Sequence, residues 1–464
     1  MKTGIKILGV VVLAAVATVV GLKLFKSSPI GPSSHELTVH FTCDSYGRLQ
    51  PCGCFTGQHG GLGRLKTWMQ EKSPKAECLN LDVGGAIAGN KDYDIIQYGY
   101  MTQAYHKMNY AALNMGGREA TVTATQLKSM ASNSAVPMIS ASLVDEDSGK
   151  LLLKPYRIVE YEGLRVGVLG VLSPTSTTSP GQGIRVLGLN EAINQQLPAM
   201  SKESDIQILL AFATEPEMKR LARDYFEFSL ILGGDVASSS QEMTRENDSI
   251  ILYTTDEART VGTFTATIES GDKTTFKDPE YTINMLWDKI PQDEKILTLI
   301  DEYLDEIRNT KLAIDDPNSV DPNSIPGVLP TAHYVGSASC KDCHPKAHKV
   351  WKDSGHAHAF ATLIKKGSDA DPHCIACHTV GFGKPSGYRR QMKDKRLLDV
   401  GCESCHGPAS EHIDRYKHGK QNSFQFRPLG PGDCKSCHYG EFSRPFVWNL
   451  FWPEIAHGKE SEME

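Results

Sequence analysis

The chemistry of this chain is concentrated in its cysteines. There are 12 in 464 residues: Cys43, Cys52, Cys54 and Cys78 near one end, and eight between Cys340 and Cys437. The eight form four copies of one pattern: Cys340-Lys-Asp-Cys343-His344, Cys374-Ile-Ala-Cys377-His378, Cys402-Glu-Ser-Cys405-His406 and Cys434-Lys-Ser-Cys437-His438. Cys-x-x-Cys-His is the spacing of c-type haem attachment, in which two thiols add across vinyl groups and the adjacent His reaches the iron. Zinc ribbons and thioredoxin-like pairs also use Cys-x-x-Cys, but neither explains a His after the second Cys every time. Four haem c groups are expected on these twelve residues, with His344, His378, His406 and His438 as proximal ligands.

Each iron has room for a second axial ligand. The spare histidines of this region are His333, His348, His356, His358, His373, His412, His418 and His457, eight for four irons, so number alone does not choose among them. From His333 onward about 130 residues serve four haems, too few for a large side-chain core. The macrocycles are expected to form much of that core, and folding to depend on their insertion.

The elements that position these groups divide the chain. Residues Ile7 to Leu22 carry no charge and are flanked by Lys2, Lys6, Lys23 and Lys26, the layout of a signal anchor or signal peptide over 1–26. Ala15-Val16-Ala17 offers a cleavage site, and the apolar run continues past it. Covalent haem attachment takes place outside the cytoplasm, so export agrees with the cysteine motifs. The expected location is periplasmic or extracytoplasmic, with the membrane as a partner through the N-terminal helix.

After a Ser- and Pro-rich tether, strand-like runs alternate with helical periodicity. The strands are expected at Leu37–Thr42, Cys78–Val83, Ala111–Met115, Val136–Ser140, Leu164–Leu172, Ile206–Phe212, Phe228–Leu232 and Ile250–Thr254. Helical periodicity marks Met101–Met108, Asn190–Met200 and Glu215–Tyr225. This is an α/β pattern, assigned to a domain over 36–285. A charged amphipathic helix at Gln292–Leu312 and a Pro-rich stretch at Asp315–Pro330 form a connection over 286–332. A mainly α, haem-cored domain then occupies 333–464. The formal net charge of −6 excludes nucleic-acid binding through bulk basicity.

The residues around the motifs carry a resemblance. Trp351-Lys-Asp-Ser-Gly-His356, Cys377-His-Thr-Val-Gly-Phe-Gly with Gly387 and Tyr388, Gly401-Cys-Glu-Ser-Cys-His-Gly-Pro with His412, and Phe451-Trp-Pro-Glu-Ile-Ala-His457-Gly resemble the tetrahaem cytochrome family of nitrification, which accepts electrons from hydroxylamine oxidoreductase. The resemblance implies His356, His412 and His457 as distal ligands of three irons. It leaves the fourth without a strong one, with His358 as the nearest local competitor. It implies electron transfer with redox partner proteins as donor and acceptor.

The first domain has a second resemblance. Cys43-Asp-Ser-Tyr46-Gly, Gly60-Gly-Leu-Gly-Arg64, Leu81-Asp-Val-Gly-Gly85, Asn114-Met-Gly-Gly-Arg118 and Leu232-Gly-Gly-Asp235 are similar to the calcineurin-like metallophosphoesterases of the 5'-nucleotidase type. Such enzymes hold two metal ions with carboxylates and imidazoles. Carried over by position, Asp44 survives, but Tyr46, Gly85, Gly117, Arg118, Phe212, Asp235 and Ala237 stand where most other ligands belong. The resemblance implies an α/β sandwich-like, metallophosphoesterase-like domain that has lost its phosphatase chemistry. Its cysteines leave two readings open. Cys43, Cys52, Cys54 and Cys78 are either structural disulfides of an exported protein or a thiol redox or soft-metal site.

Three functions compete on this reading. The chain is an electron carrier with a docking or thiol-redox module, a haem enzyme acting on a small nitrogen or sulfur compound at one open iron, or a working nucleotidase fused to a cytochrome.

Overall fold

A computed structural model describes residues 35–51, 58–72, 78–255, 257–269, 275–321, 323–325, 328–419, 429–438 and 446–458. The apolar segment Ile7–Leu22 and the pair Cys52 and Cys54 lie outside the described residues. Among the described residues no helix is long and apolar enough to cross a membrane.

The strands are β1 (His35–Thr42), β2 (Leu79–Asp82), β3 (Tyr110–Asn114), β4 (Met138–Ile139), β5 (Leu143–Asp145), β6 (Tyr156–Tyr161), β7 (Leu164–Leu172), β8 (Ile184–Val186), β9 (Ile206–Phe212), β10 (Phe228–Gly234), β11 (Thr244–Glu246), β12 (Ser249–Tyr253), β13 (Thr260–Glu269) and β14 (Thr275–Met285). Two six-stranded mixed sheets result, ordered β14-β13-β1-β2-β3-β4 and β11-β12-β10-β9-β7-β6, with β5 and β8 paired separately. The parallel strands are apolar on both faces, as strands covered on both sides must be. In β9, Ile208, Leu210 and Phe212 join one buried cluster and Leu209 and Ala211 another, so the period-2 alternation divides the strand between two cores. The first cluster joins side chains from both sheets. The second lies under the helices Leu189–Glu203 and Glu215–Asp224. Asn114 pins the sheets together, its buried amide donating to the carbonyls of Val83 (2.8 Å), Val171 (3.0 Å) and Leu210 (3.4 Å).

Several elements differ from the sequence reading, two of them with consequences for the architecture. The antiparallel β13–β14 hairpin, absent from the expected strands, extends the first sheet, although β14 contains Asp278 and Pro279. It is an edge strand, where Pro costs no ladder bond inside the sheet. The helix Glu294–Asn309, read as part of a connection, buries Ile296, Leu299, Ile300, Tyr303, Leu304 and Ile307 in the first core cluster.

The C-terminal region is built of short helices, and among the described residues its buried apolar cluster has seven members: Tyr334, Phe360, Leu363, Ile375, Val380, Tyr388 and Leu397. It is fastened to the first domain by buried polar contacts. Arg390 pairs with Asp315 at 2.5 Å and donates to the Ile307, Thr310 and Ala370 carbonyls, capping the end of the Glu294–Asn309 helix. His373 Nε2 lies 3.1 Å from Asp94 Oδ1, its ring edge-on to Tyr93.

Candidate functional sites

All four Cys-x-x-Cys-His motifs adopt one helical turn. The second ends the helix Pro372–His378, and the third is the helix Cys402–His406. In the first and fourth, His344 N–H bonds to the Cys340 carbonyl (2.9 Å) and His438 N–H to that of Cys434 (2.8 Å). Residues i, i+3 and i+4 of a helical turn share a face, so each motif presents two thiols and an imidazole together. Thiols of different motifs are neighbours as well: Cys340 lies within electrostatic reach of Cys402, and Cys377 of Cys437. The first motif thus neighbours the third, and the second neighbours the fourth.

Imidazoles then pair across the domain. The ring centres of His344 and His412 are 6.1 Å apart, those of His356 and His438 5.9 Å, and those of His406 and His457 5.9 Å. Two imidazoles on opposite sides of one metal ion, each bound through nitrogen at about 2 Å, place their ring centres about 6 Å apart. The chain therefore holds three pairs at the separation that an intervening iron requires. Burial keeps His356, His406, His412 and His438 below the usual imidazole range, so these rings stay neutral and retain a lone pair. His457 donates through Nδ1 to the Ile455 carbonyl (2.8 Å), leaving Nε2 for a metal.

His378 stands apart. Its Nδ1 donates to the Ala359 carbonyl at 2.7 Å, which likewise leaves Nε2 as the lone-pair nitrogen. Among the described residues no histidine ring faces it. His358 is exposed, whereas His356 is fixed by Val400, whose N–H bonds to the His356 carbonyl (3.1 Å). Of the other spare histidines, His373 is taken by Asp94, His348 packs at a tilt against Trp351, and His333 and His418 are exposed.

On the first domain, the residues at the ends of β1, β2, β3, β9 and β10 converge. Phe212 occupies their centre. A Cβ on Gly116 would lie 2.9 Å from its ring, one on Gly85 3.2 Å and one on Gly234 3.3 Å, so three glycines make room for one phenyl group where metal ligands would otherwise gather. Asp44 Oδ2 accepts from Thr255 Oγ1 (3.0 Å), and burial raises its carboxyl to about 6. The guanidinium of Arg118 lies 4.0 Å over the Tyr46 ring and donates to the Ala88 carbonyl. Asp235 accepts from Ser176 Oγ at 2.6 Å. Among the described residues no three His, Cys, Asp or Glu side chains are placed to hold a metal ion.

Two acids missed by motif reading organise this face. Glu119, fully buried, accepts from the N–H groups of Gly85 (3.0 Å), Ile87 (2.9 Å) and Gly116 (3.0 Å). Asp82 accepts from Thr42 Oγ1 (2.6 Å), Tyr105 OH (3.2 Å) and Gly84 N–H (3.0 Å), and complete burial pushes it up to about 8. Only the proximity of these acids to the Gly-Gly pairs could have flagged them.

The cysteines of this domain are not all together. Cys43 is buried at the C-terminal end of β1, its thiol donating to the Gly84 carbonyl and pushed well up by burial and neighbouring carboxylates. Parallel pairing of Val39 with Leu79 puts Cys78 level with the middle of β1, at the opposite end of β2 from Cys43's side. Five residues of strand then separate the two levels, too far for a disulfide.

Comparisons with known proteins match these two halves separately. Residues 339–407 match the family described as cytochrome c554 and c-prime. The cytochrome c-554 of Nitrosomonas europaea is 36% identical over 92 residues, 17% of this chain and 39% of that one. A 5'-nucleotidase of Vibrio cholerae is 25% identical over 179 residues, 37% of this chain and 32% of that one. The chain thus spans well under half the length of these curated relatives. Among solved structures, the 5'-nucleotidase precursor of Thermus thermophilus superposes with a TM-score of 0.52 at 19% identity, covering 59% of each chain. The calcineurin-like phosphoesterase YfkN of Bacillus subtilis gives 0.50 at 19%, covering 59% of this chain and 98% of that one. The C-terminal match implies covalently bound haem c, which the helical Cys-x-x-Cys-His turns and the imidazole spacing fit. A cytochrome c554 domain at the C-terminal side thus follows an N-terminal fold of the 5'-nucleotidase, calcineurin-like phosphoesterase type.

Proposed function

We propose that this chain is an exported c-type cytochrome that passes electrons among four covalently bound haems, carrying a phosphoesterase-like domain that serves as a docking module. The observation that carries the reading is the set of three imidazole pairs, each joining one motif histidine to one of His356, His412 and His457. Haem supplies one-electron chemistry at its iron. The chain's part is to bind each macrocycle through two thiols, to aim a neutral imidazole from one or both sides, and to keep neighbouring motifs close. The neighbouring thiols of the first and third and of the second and fourth motifs support two close haem pairs and a short path for electrons.

The domain limits that go with this reading are 36–285 and 333–464, and residues 1–26 act as anchor or export signal, placing the protein in the periplasm. Redox proteins are its donor and acceptor. The first domain carries no hydrolytic step in this proposal, because Phe212 fills the centre of the strand-end face.

The test is a count and a spectrum. Pyridine haemochrome analysis of the purified holoprotein should give four haems per chain, and electron paramagnetic resonance should show three low-spin irons. Two haems, or four high-spin irons, would sink the proposal. A second reading has its own observation: His378 faces no histidine among the described residues, and on this reading its iron would be open to a small ligand. Binding of nitric oxide or carbon monoxide at one iron, with turnover of a small nitrogen or sulfur compound there, would make the protein a haem enzyme.

A further inference from the structure

Glu403 stands inside the third motif, between Cys402 and Ser404, yet it is 3% exposed. Its carboxylate accepts from Val335 N–H at 3.0 and 3.1 Å, from Gly336 N–H at 2.7 Å and from Ala409 N–H at 2.9 Å. These donors belong to two other segments. Val335 and Gly336 lead directly into the turn Ser337–Cys340, where the first motif begins. Ala409 precedes the helix Ser410–Lys417, which carries His412, the ring facing His344. A second bond ties the same junction, from Cys402 N–H to Ser337 Oγ at 3.1 Å.

We infer that Glu403 is the positioning residue that sets the first and third haem motifs in register and holds His412 opposite His344. The inference rests on the haem reading above. A carboxylate suits the task because it is built of acceptors alone, two oxygens with about four lone-pair sites, enough for three N–H groups. An amide has one acceptor oxygen, and its NH2 group opposes the remaining donors. At a buried site each donor left unmatched loses its solvation without return. Gly336 has a φ of 88°, in the left-handed region that glycine adopts without strain, so the chain can turn there with the Val335 and Gly336 N–H groups both on one carboxylate.

The experiment is E403Q in the full-length holoprotein. The haem count should stay at four, while one iron more than in the parent becomes high-spin and binds carbon monoxide. H412A should give the same spectrum, and the double variant should add nothing to it. Equal numbers of low-spin irons and equal carbon monoxide stoichiometry in E403Q and the parent would overturn the inference. If E403Q retains no haem, E403D, which keeps both oxygens on a shorter stem, is read by the same criterion. A parent without three low-spin irons counts against the haem reading itself. A normal parent with an unaltered E403Q counts against Glu403 alone.

Discussion

The two halves of this molecule solve the problem of a core in opposite ways. The first domain buries apolar side chains between and outside two sheets, with Leu37, Val39, Phe41, Leu81 and Phe264 wholly enclosed. Among the described residues of the second, the buried apolar cluster has seven members, and cysteines and histidines gather beside it. Folding needs apolar area removed from water, and a region of this length with so small a cluster cannot supply it from side chains alone. One half is held by its own residues, while the other is expected to need its haem. On the proposed reading, the comparison also accounts for a phosphoesterase-type fold that stands without metal ions. Its stability lies in the sheets, so Phe212 can take over the strand-end face at no cost to the scaffold.

The sharpest way to break this contrast is to block haem attachment. Replacing all eight motif cysteines with serine is expected to leave residues 333–464 open to limited proteolysis while the first domain stays resistant. A C-terminal region that remains protected would show that side chains suffice. Next in size is Phe264→Ala, which should cost the first domain about 3–5 kcal/mol in denaturant unfolding and leave the haem spectra unchanged.

Asp315→Ala tests the join between the halves. It leaves the Arg390 guanidinium, with a side chain 8% exposed, facing carbonyls alone. The loss should be about 3 kcal/mol, read as earlier separation of the two unfolding transitions. Smaller is the effect of pH on the first domain. Asp82 and Asp44 hold their protons in the folded state to about 8 and about 6, whereas the unfolded chain releases them near the ordinary carboxyl range. Their contribution is fully present below that range and is lost as pH rises toward those values, at up to about 1.4 kcal/mol per unit per group. Urea midpoints should therefore fall between pH 5 and pH 8, and Asp82→Asn should flatten the slope. Smallest of all, manganese or zinc should shift the melting temperature by nothing measurable and should release no phosphate from a nucleotide. A clear shift would mean that the strand-end face still binds metal.

Much of this was legible in the residues. Leu164–Leu172 and Ile206–Phe212 have the strand limits that their apolar runs predict, because strands covered on both faces need continuous hydrophobicity. The hairpin β13–β14 was harder to see. Its outer strand, Thr275–Met285, alternates polar with half-exposed residues and contains Pro279, so no apolar run marks it. The Glu294–Asn309 helix showed its amphipathic face, but periodicity does not say which domain that face covers. The expectation that His356, His412 and His457 serve as distal ligands came from the resemblance. Which motif each one serves is a matter of long-range packing, and spacing along the chain carries no trace of it.

Those pairings have a consequence for how the protein comes into being. The pairs His344–His412, His356–His438 and His406–His457 overlap along the chain, each opening before the previous one has closed. A polypeptide delivered amino-terminus first presents three attachment motifs before His412, the earliest closing partner, has arrived. On the haem reading, no iron could gain both of its imidazoles until most of the region had been delivered. The final geometry then locks like an interleaved clasp, late and all at once, in the slow regime expected where distant residues must meet.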